Sequence, residues 1–299
     1  MRKVKYILLI IISIAGSGIL YGQQLPHYTQ YMFNDFVINP AIACVHNYHQ
    51  IRTNHRFQWV GLVDPPLTNS IAFYGPHAKL NMGYGGYIYN DVTGPTSRTG
   101  FTGAYAYNIA VTDEMRLSMG IEISLLQYRI DGTALNPKDV SDPSILNLVS
   151  TSYMPDAGLG AYLYAEDFYV GLSVAQLLNN KVKIFDNKDG LNRLKTHINL
   201  TGGYRYEINT DWAMEPSVMI KGAAPREFSF DVTIRVDWQK MVWGALSYRY
   251  RDAVSILVGY SYEETLLFGY AYDIGITGLR KYNTGTHELM IGYRFNDIK

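Results

Sequence analysis

Between residues 47 and 295 the chain repeats one pattern about fourteen times: apolar and polar residues alternate singly, with many tyrosines, until a turn ends the stretch. In one copy Met115, Leu117, Met119, Ile121, Ile123 and Leu125 interleave with Arg116, Ser118, Gly120, Glu122 and Ser124. In another, Phe228, Phe230, Val232, Ile234 and Val236 interleave with Ser229, Asp231, Thr233, Arg235 and Asp237. In an extended chain successive side chains point to opposite faces, so each stretch has one apolar and one polar face. A helix of the same sequence would scatter both classes around its axis. The predicted fold class is therefore all-β.

What surrounds the repeat decides between a barrel in lipid and a sandwich in water. Residues 1–22 read as a secretory leader, in which Arg2, Lys3 and Lys5 precede the apolar run 6–14 and the small residues Ala15, Gly16, Ser17 and Gly18. Cleavage is expected after Gly22. That run is shorter than the roughly 20 residues a spanning helix needs, and no later run reaches that length. Removing the leader leaves 23 basic against 26 acidic residues, a net charge of −3, with no basic excess to attract nucleic acid. Cys44 is the only cysteine, so no internal disulfide forms. The 26 tyrosines fall repeatedly near strand ends, where an apolar ring and a wet hydroxyl suit a lipid–water boundary.

Strands are predicted at 47–60, 69–74, 79–90, 98–110, 115–130, 158–165, 168–177, 195–208, 212–222, 227–237, 241–250, 253–262, 265–273 and 287–295. Connections after even-numbered strands are tight, as at 75–78, 111–113, 166–167, 209–211, 238–240 and 263–264. Most after odd-numbered strands are longer, at 61–68, 91–96, 131–157, 178–194 and 274–286; those around Pro225 and Asp252 are short. Alternating short and long connections are those of a transmembrane up-and-down antiparallel β-barrel of about 14 strands with brief periplasmic turns. Gly202 and Gly244 fall on outward positions. Arg116, Glu122, Arg205, Glu207, Asp231, Arg235, Asp237, Arg249 and Arg251 fall on the inward face, where mixed signs suggest a lumen laced by ion pairs, or plugged.

No catalytic or cofactor motif emerges. On a strand His49 and His55 stand roughly 20 Å apart, too far for one metal ion, and His46 faces the other way. Ser173 or Ser255 with His197 lacks any motif that joins them, and glycines 83–86 have no following helix or lysine to make a phosphate loop. We expect no enzyme, no cofactor and no metal.

Ahead of the first strand the alternation is absent. There the chain reads Tyr28-Thr29-Gln30-Tyr31-Met32-Phe33-Asn34 and Ile38-Asn39-Pro40-Ala41, followed by Arg56-Phe57-Gln58-Trp59-Val60-Gly61 and Tyr89-Asn90-Asp91 with Gly94-Pro95. Further on come Pro155-Asp156-Ala157-Gly158-Leu159-Gly160, Tyr169-Val170-Gly171-Leu172-Ser173, and His197 with Gly202-Gly203-Tyr204. Over nearly the whole mature chain these motifs resemble the PorP/SprF family of the type IX secretion system, outer-membrane proteins of Bacteroidota. Cys44 departs from the small residues, such as glycine, that the family tends to carry there.

The resemblance implies a non-enzymatic barrel in the outer membrane that helps export or anchor a large surface protein, of the gliding-adhesin type with a type B C-terminal domain. It also implies periplasmic secretion or motor components as partners of some members. A passive channel or hydrophobic-solute transporter is the alternative. The domain plan is a signal peptide (1–22), a lead-in or plug segment (23–46) and the barrel (47–299), with the N-terminus periplasmic after cleavage. Asn39-Pro40 stops regular structure in the segment, whose candidate plug or partner residues are Tyr28, Gln30, Tyr31, Phe33, Asn34, Asn39 and Pro40. A plug and a purely structural lead-in both fit that composition.

Overall fold

The computed structural model describes residues 25–134, 149–182, 193–223 and 227–297. The expected leader and the connection around Pro225 lie outside the described residues. In chain order the strands are β1 (His49–Phe57), β2 (Leu67–Pro76), β3 (Met82–Thr93), β4 (Thr96–Ala110), β5 (Arg116–Asp131), β6 (Val149–Tyr164), β7 (Phe168–Ala175) and β8 (His197–Tyr204). They continue as β9 (Tyr206–Glu207), β10 (Trp212–Ala223), β11 (Glu227–Trp238), β12 (Val242–Arg249), β13 (Ala253–Tyr262), β14 (Leu266–Gly275) and β15 (Thr286–Phe295).

Apart from β8 and β9, which do not pair with each other, each strand pairs antiparallel with its neighbours in sequence, and β1 pairs with β15, from His49 opposite Phe295 to Phe57 opposite His287, closing the sheet. Closure leaves no open edge, as a strand protein in lipid requires. The 15 strands fill fourteen wall positions, because β8 and β9 lie end to end on β10, interrupted at Arg205. The predicted fourteen-strand, up-and-down barrel is the fold observed.

Two connections expected to be long are built differently. β3 and β4 run on to Thr93 and from Thr96, so that Gly94-Pro95 alone joins them. β5 and β6 each extend over 16 residues, with Asp131 opposite Val149, so 149–157 is strand where a loop was expected. Here Thr151 and Pro155 interrupt the outward apolar phase, which keeps only Val149 and Tyr153, and Met154 falls on the inward one, so the alternation is too broken to mark a strand. The wall is tallest at this hairpin and short at β7, β8 and β12, each of 8 residues.

Apolar side chains such as Ile121, Ile123, Leu246 and Val258 face outward and are exposed, the inverse of a water-soluble protein. At the tight-turn end the outward face carries Tyr84, Tyr107, Trp212, Trp238, Tyr262 and Tyr293, an aromatic girdle. Much of the tyrosine is elsewhere: Tyr28, Tyr31, Tyr74 and Tyr89 are buried in the interior. Arg251, expected on the inward face, sits in the turn after β12 with a left-handed backbone (φ 56°).

Candidate functional site

The interior of the barrel is occupied by the chain itself. Residues 26–45 cross the lumen, with a single helical turn, α1 (Asp35–Ile38), and a 3-10 turn (Pro40–Cys44), before the chain enters β1 at the tight-turn end. The lumen-facing residues of β1 are polar (Gln50, Arg52, Asn54 and Arg56), and all four are buried.

Residues 27–30 are held among charges near the long-connection ends of the strands. Glu288, fully buried on β15, accepts hydrogen bonds from the backbone amides of Thr29 (2.8 Å) and Gln30 (2.9 Å), from Asn54 Nδ2 (3.0 Å) and from Arg56 Nη1 (2.9 Å). The Thr29 hydroxyl donates to Asp273 (2.9 Å) and accepts from Arg56 (2.7 Å) and Arg249 (2.9 Å). Arg56 also pairs with Asp273 at 2.8 Å, and Arg249 pairs with Asp273 at 3.2 Å and Asp231 at 3.4 Å. Lys221 reaches Asp231 at 3.4 Å and His27 Nδ1 at 2.5 Å. Burial above all, then the charges of Arg249 and Lys221, holds the His27 pKa well below its ordinary value, against Asp231, so the ring is neutral and accepts from Lys221.

Deeper in, the contacts become aromatic. Tyr31 shares a 2.8 Å hydrogen bond with Ser217 on β10, and burial pushes its phenol up to about 12. Phe33 packs on Trp243 of β12 with ring centroids 4.6 Å apart, and the Arg235 guanidinium stands 5.0 Å from its centroid. Arg235 is itself fixed by Glu215 (2.7 Å) and Asp237 (3.3 Å), and Asp237 takes Arg205 at 3.1 Å.

The far half of the segment lies on a different surface. Phe36 stacks on Tyr74 of β2 at 4.4 Å and meets the edge of Tyr87 of β3 at 6.0 Å. Burial raises the Asp35 carboxyl, but hydrogen bonding and charge from His46, the Arg52 charge and the Tyr74 hydroxyl outweigh it and hold it below its ordinary value. Asn39 Nδ2 donates to the Ala161 carbonyl (3.0 Å), while its Oδ1 caps the 3-10 turn by accepting from Ala41 N (3.0 Å). Ser173 donates to the Ile38 carbonyl (2.6 Å), Ser118 to the Ala41 carbonyl (2.5 Å) and Asn108 to the Cys44 carbonyl (3.0 Å). Beneath them Gly120 and Gly160 are partners across β5 and β6. A Cβ at Gly120 would overlap the backbone of Pro40 and Ala41, and one at Gly160 would overlap Asn39 Oδ1 and touch Pro40 Cδ at 3.0 Å.

All seven candidate residues of the segment are therefore buried in the lumen: Tyr28, Gln30, Tyr31, Phe33, Asn34, Asn39 and Pro40. Gln30 donates to the Glu288 carbonyl at 3.2 Å, and Asn34 precedes α1 without a side-chain capping bond. The inward set named from sequence lacked Arg52, Arg56, Glu215, Lys221, Asp273 and Glu288. They were legible as the polar phase of their strands, as in Gln50, Arg52, Asn54, Arg56. Ser173 donates to the Ile38 carbonyl, and His197 Nδ1 pairs with the Lys195 carbonyl at 2.7 Å.

Among solved structures, the chain is similar to the toluene transporter TbuX of Ralstonia pickettii, with a TM-score of 0.53 at 10% identity over 88% of this chain and 93% of that one. It also matches a FadL homologue of Pseudomonas aeruginosa, with a TM-score of 0.47 at 11% identity over 93% and 96% of the two chains. At such identities the likeness to TbuX shows the fold alone, that of an outer-membrane barrel. A comparison with curated proteins finds no match. The family described as type IX secretion system membrane protein PorP/SprF matches residues 20–293, nearly the whole chain. On that match, with the closed barrel it accompanies, the chain belongs to the PorP/SprF family of type IX secretion outer-membrane proteins.

Proposed function

We propose that this barrel is a closed, non-enzymatic outer-membrane component that helps export or anchor one large cell-surface protein, a gliding-type adhesin with a type B C-terminal domain. The observation that carries the reading is the lumen: residues 26–45 cross it and are bonded to the wall on both sides, so the barrel has a body to offer a client rather than an open bore. The tight-turn end faces the periplasm, where other secretion or motor components dock, and the tall β5–β6 hairpin stands on the outer side toward the client. In this orientation β1 starts at the periplasmic end, while residues 26–30 lie nearer the outer one.

Two measurements on the native protein test this. In planar bilayers the purified barrel is expected to be silent, and from cells it is expected to copurify with a very large surface protein whose display fails when the barrel is deleted. Free conductance without any partner, together with normal surface display in the deletion strain, would replace this reading with a passive channel or solute transporter.

A further inference from the structure

The segment leaves a cavity of about 80 Å³ beside β5 and β6, toward the long-connection end. Its apolar walls include Val37 and Ile38 of the segment, Tyr87 and Tyr89 of β3, and Met219 of β10. Three acceptors face it from the wall. Asp156, 4% exposed, uses Oδ1 to accept from the amides of Ala157 (2.7 Å) and Leu178 (3.0 Å), and its Oδ2 has no hydrogen-bond partner among the described residues. Gln176, 8% exposed, has its Oε1 without a hydrogen-bond partner among the described residues. Glu122, also 8% exposed, lies along β6 over Gly158 and makes no ion pair among the described residues.

A cation is nearby, but it is engaged. Lys221 lines the same cavity and is taken up by Asp231 and by the neutral His27. Among the described residues two carboxylates are thus buried without a counter-charge, a placement that is unfavourable unless a proton or a cation joins them. A hard metal ion needs six or more oxygen ligands, whereas this cavity offers a few acceptors and a lining of rings and aliphatic groups. We propose that it binds an organic cation: an ammonium or guanidinium group received by Glu122, Asp156 and Gln176 Oε1, on an apolar stem lying against Tyr87 and Tyr89. The cation comes either from a small amine or from a lysine or arginine side chain of a protein client. The inference does not depend on the secretion reading, because its test scores binding and not display.

Calorimetry on the native barrel in detergent uses n-butylguanidinium as the probe and n-pentanol as a neutral counterpart. Saturable, one-to-one binding of the guanidinium and none of the alcohol is expected, with affinity falling at least roughly tenfold in the Glu122→Gln, Asp156→Asn double variant. If that variant does not migrate as a folded barrel on a heat-modifiability gel, Glu122→Gln alone is measured, with the same direction expected. Competition by a capped Ala-Lys-Ala peptide, but not by Ala-Leu-Ala, identifies a client side chain as the source; binding without competition identifies a small solute. No guanidinium binding between pH 5.5 and 8, or equal binding by the folded variants, overturns the proposal and leaves protons as the compensating charge.

Discussion

The two halves of the lumen segment are held by opposite kinds of surface. Residues 27–30 meet β1 and β10–β15 through carboxylates, guanidinium groups and an ammonium, with Glu288 gripping two consecutive backbone amides. Residues 36–44 lie on β2–β7, where single hydroxyls and amides take the backbone carbonyls and glycines let the chain approach. The first surface is a network of charges, sensitive to the loss of any member. The second is a matter of shape: it is neutral at the contact and sensitive to added volume. A segment held in both ways can release one end without the other, and the halves are expected to respond to different insults.

The largest effect is expected from Glu288→Ala. It strips two segment amides and Asn54 of their acceptor and removes one of the two carboxylates facing Arg56. Breaking a buried ionic network from one side costs about 3 to 5 kcal/mol. Hydrogen-exchange protection of the Thr29 and Gln30 amides should fall by roughly 100-fold or more, while that of Ala41 and Val45 stays. An equal fall in both halves would show that the segment docks as one unit and that the contrast has no energetic meaning.

Gly160→Leu attacks the other half. Its Cβ overlaps Asn39 Oδ1 and presses on Pro40, and overpacking of this kind costs about 1 to 3 kcal/mol. Protection should now drop at Ala41 and Val45 and hold at Thr29 and Gln30, the reverse of the first variant. Unchanged exchange at Ala41 would mean that the floor yields, and that the glycine pair serves the approach of β5 and β6 rather than that of the segment.

The same contrast explains what was legible in the sequence. The wall was legible because alternation is local: each strand announces its own two faces, and even Arg235 and Asp237 fell on the correct side. The position of the segment was only suggested, because what holds it is remote; Thr29 finds Glu288 across 259 residues, and no periodicity encodes that pairing. Tyrosine misled in part. Tyr74 and Tyr89 fall near the ends of their predicted strands, where tyrosines were expected to meet the lipid–water boundary, yet they face inward, since a ring suits a lumen packed by Phe36 as well as it suits lipid. Strand 149–157 was missed because Thr151 and Pro155 break the apolar phase that Val149 and Tyr153 carry on its outer face.

The smallest expected effect separates the halves by pH alone. His27 is buried against Lys221, Arg249 and Asp231, and its folded pKa is depressed well below the roughly 6.5 of an unfolded histidine. Below that value the undocked segment binds a proton that the docked one resists. Docking of residues 27–30 is then fully stable above about pH 6.5 and weakens as pH falls below it, by at most about 1.4 kcal/mol per pH unit for one group. Near His27 the strong pairs Arg56–Asp273 and Arg56–Glu288 resist the same change, so the loss at pH 5.5 should be a modest fraction of that caused by Glu288→Ala. Protection of Thr29 and Gln30, corrected for intrinsic exchange, should decline from pH 7 to 5.5 in the native protein and stay level in His27→Gln. Ala41, whose amide is capped by the uncharged Asn39, should stay level in both. A decline at Ala41 that tracked the one at Thr29 would show that the pH response does not come from His27 alone, and that the two halves of the segment loosen together.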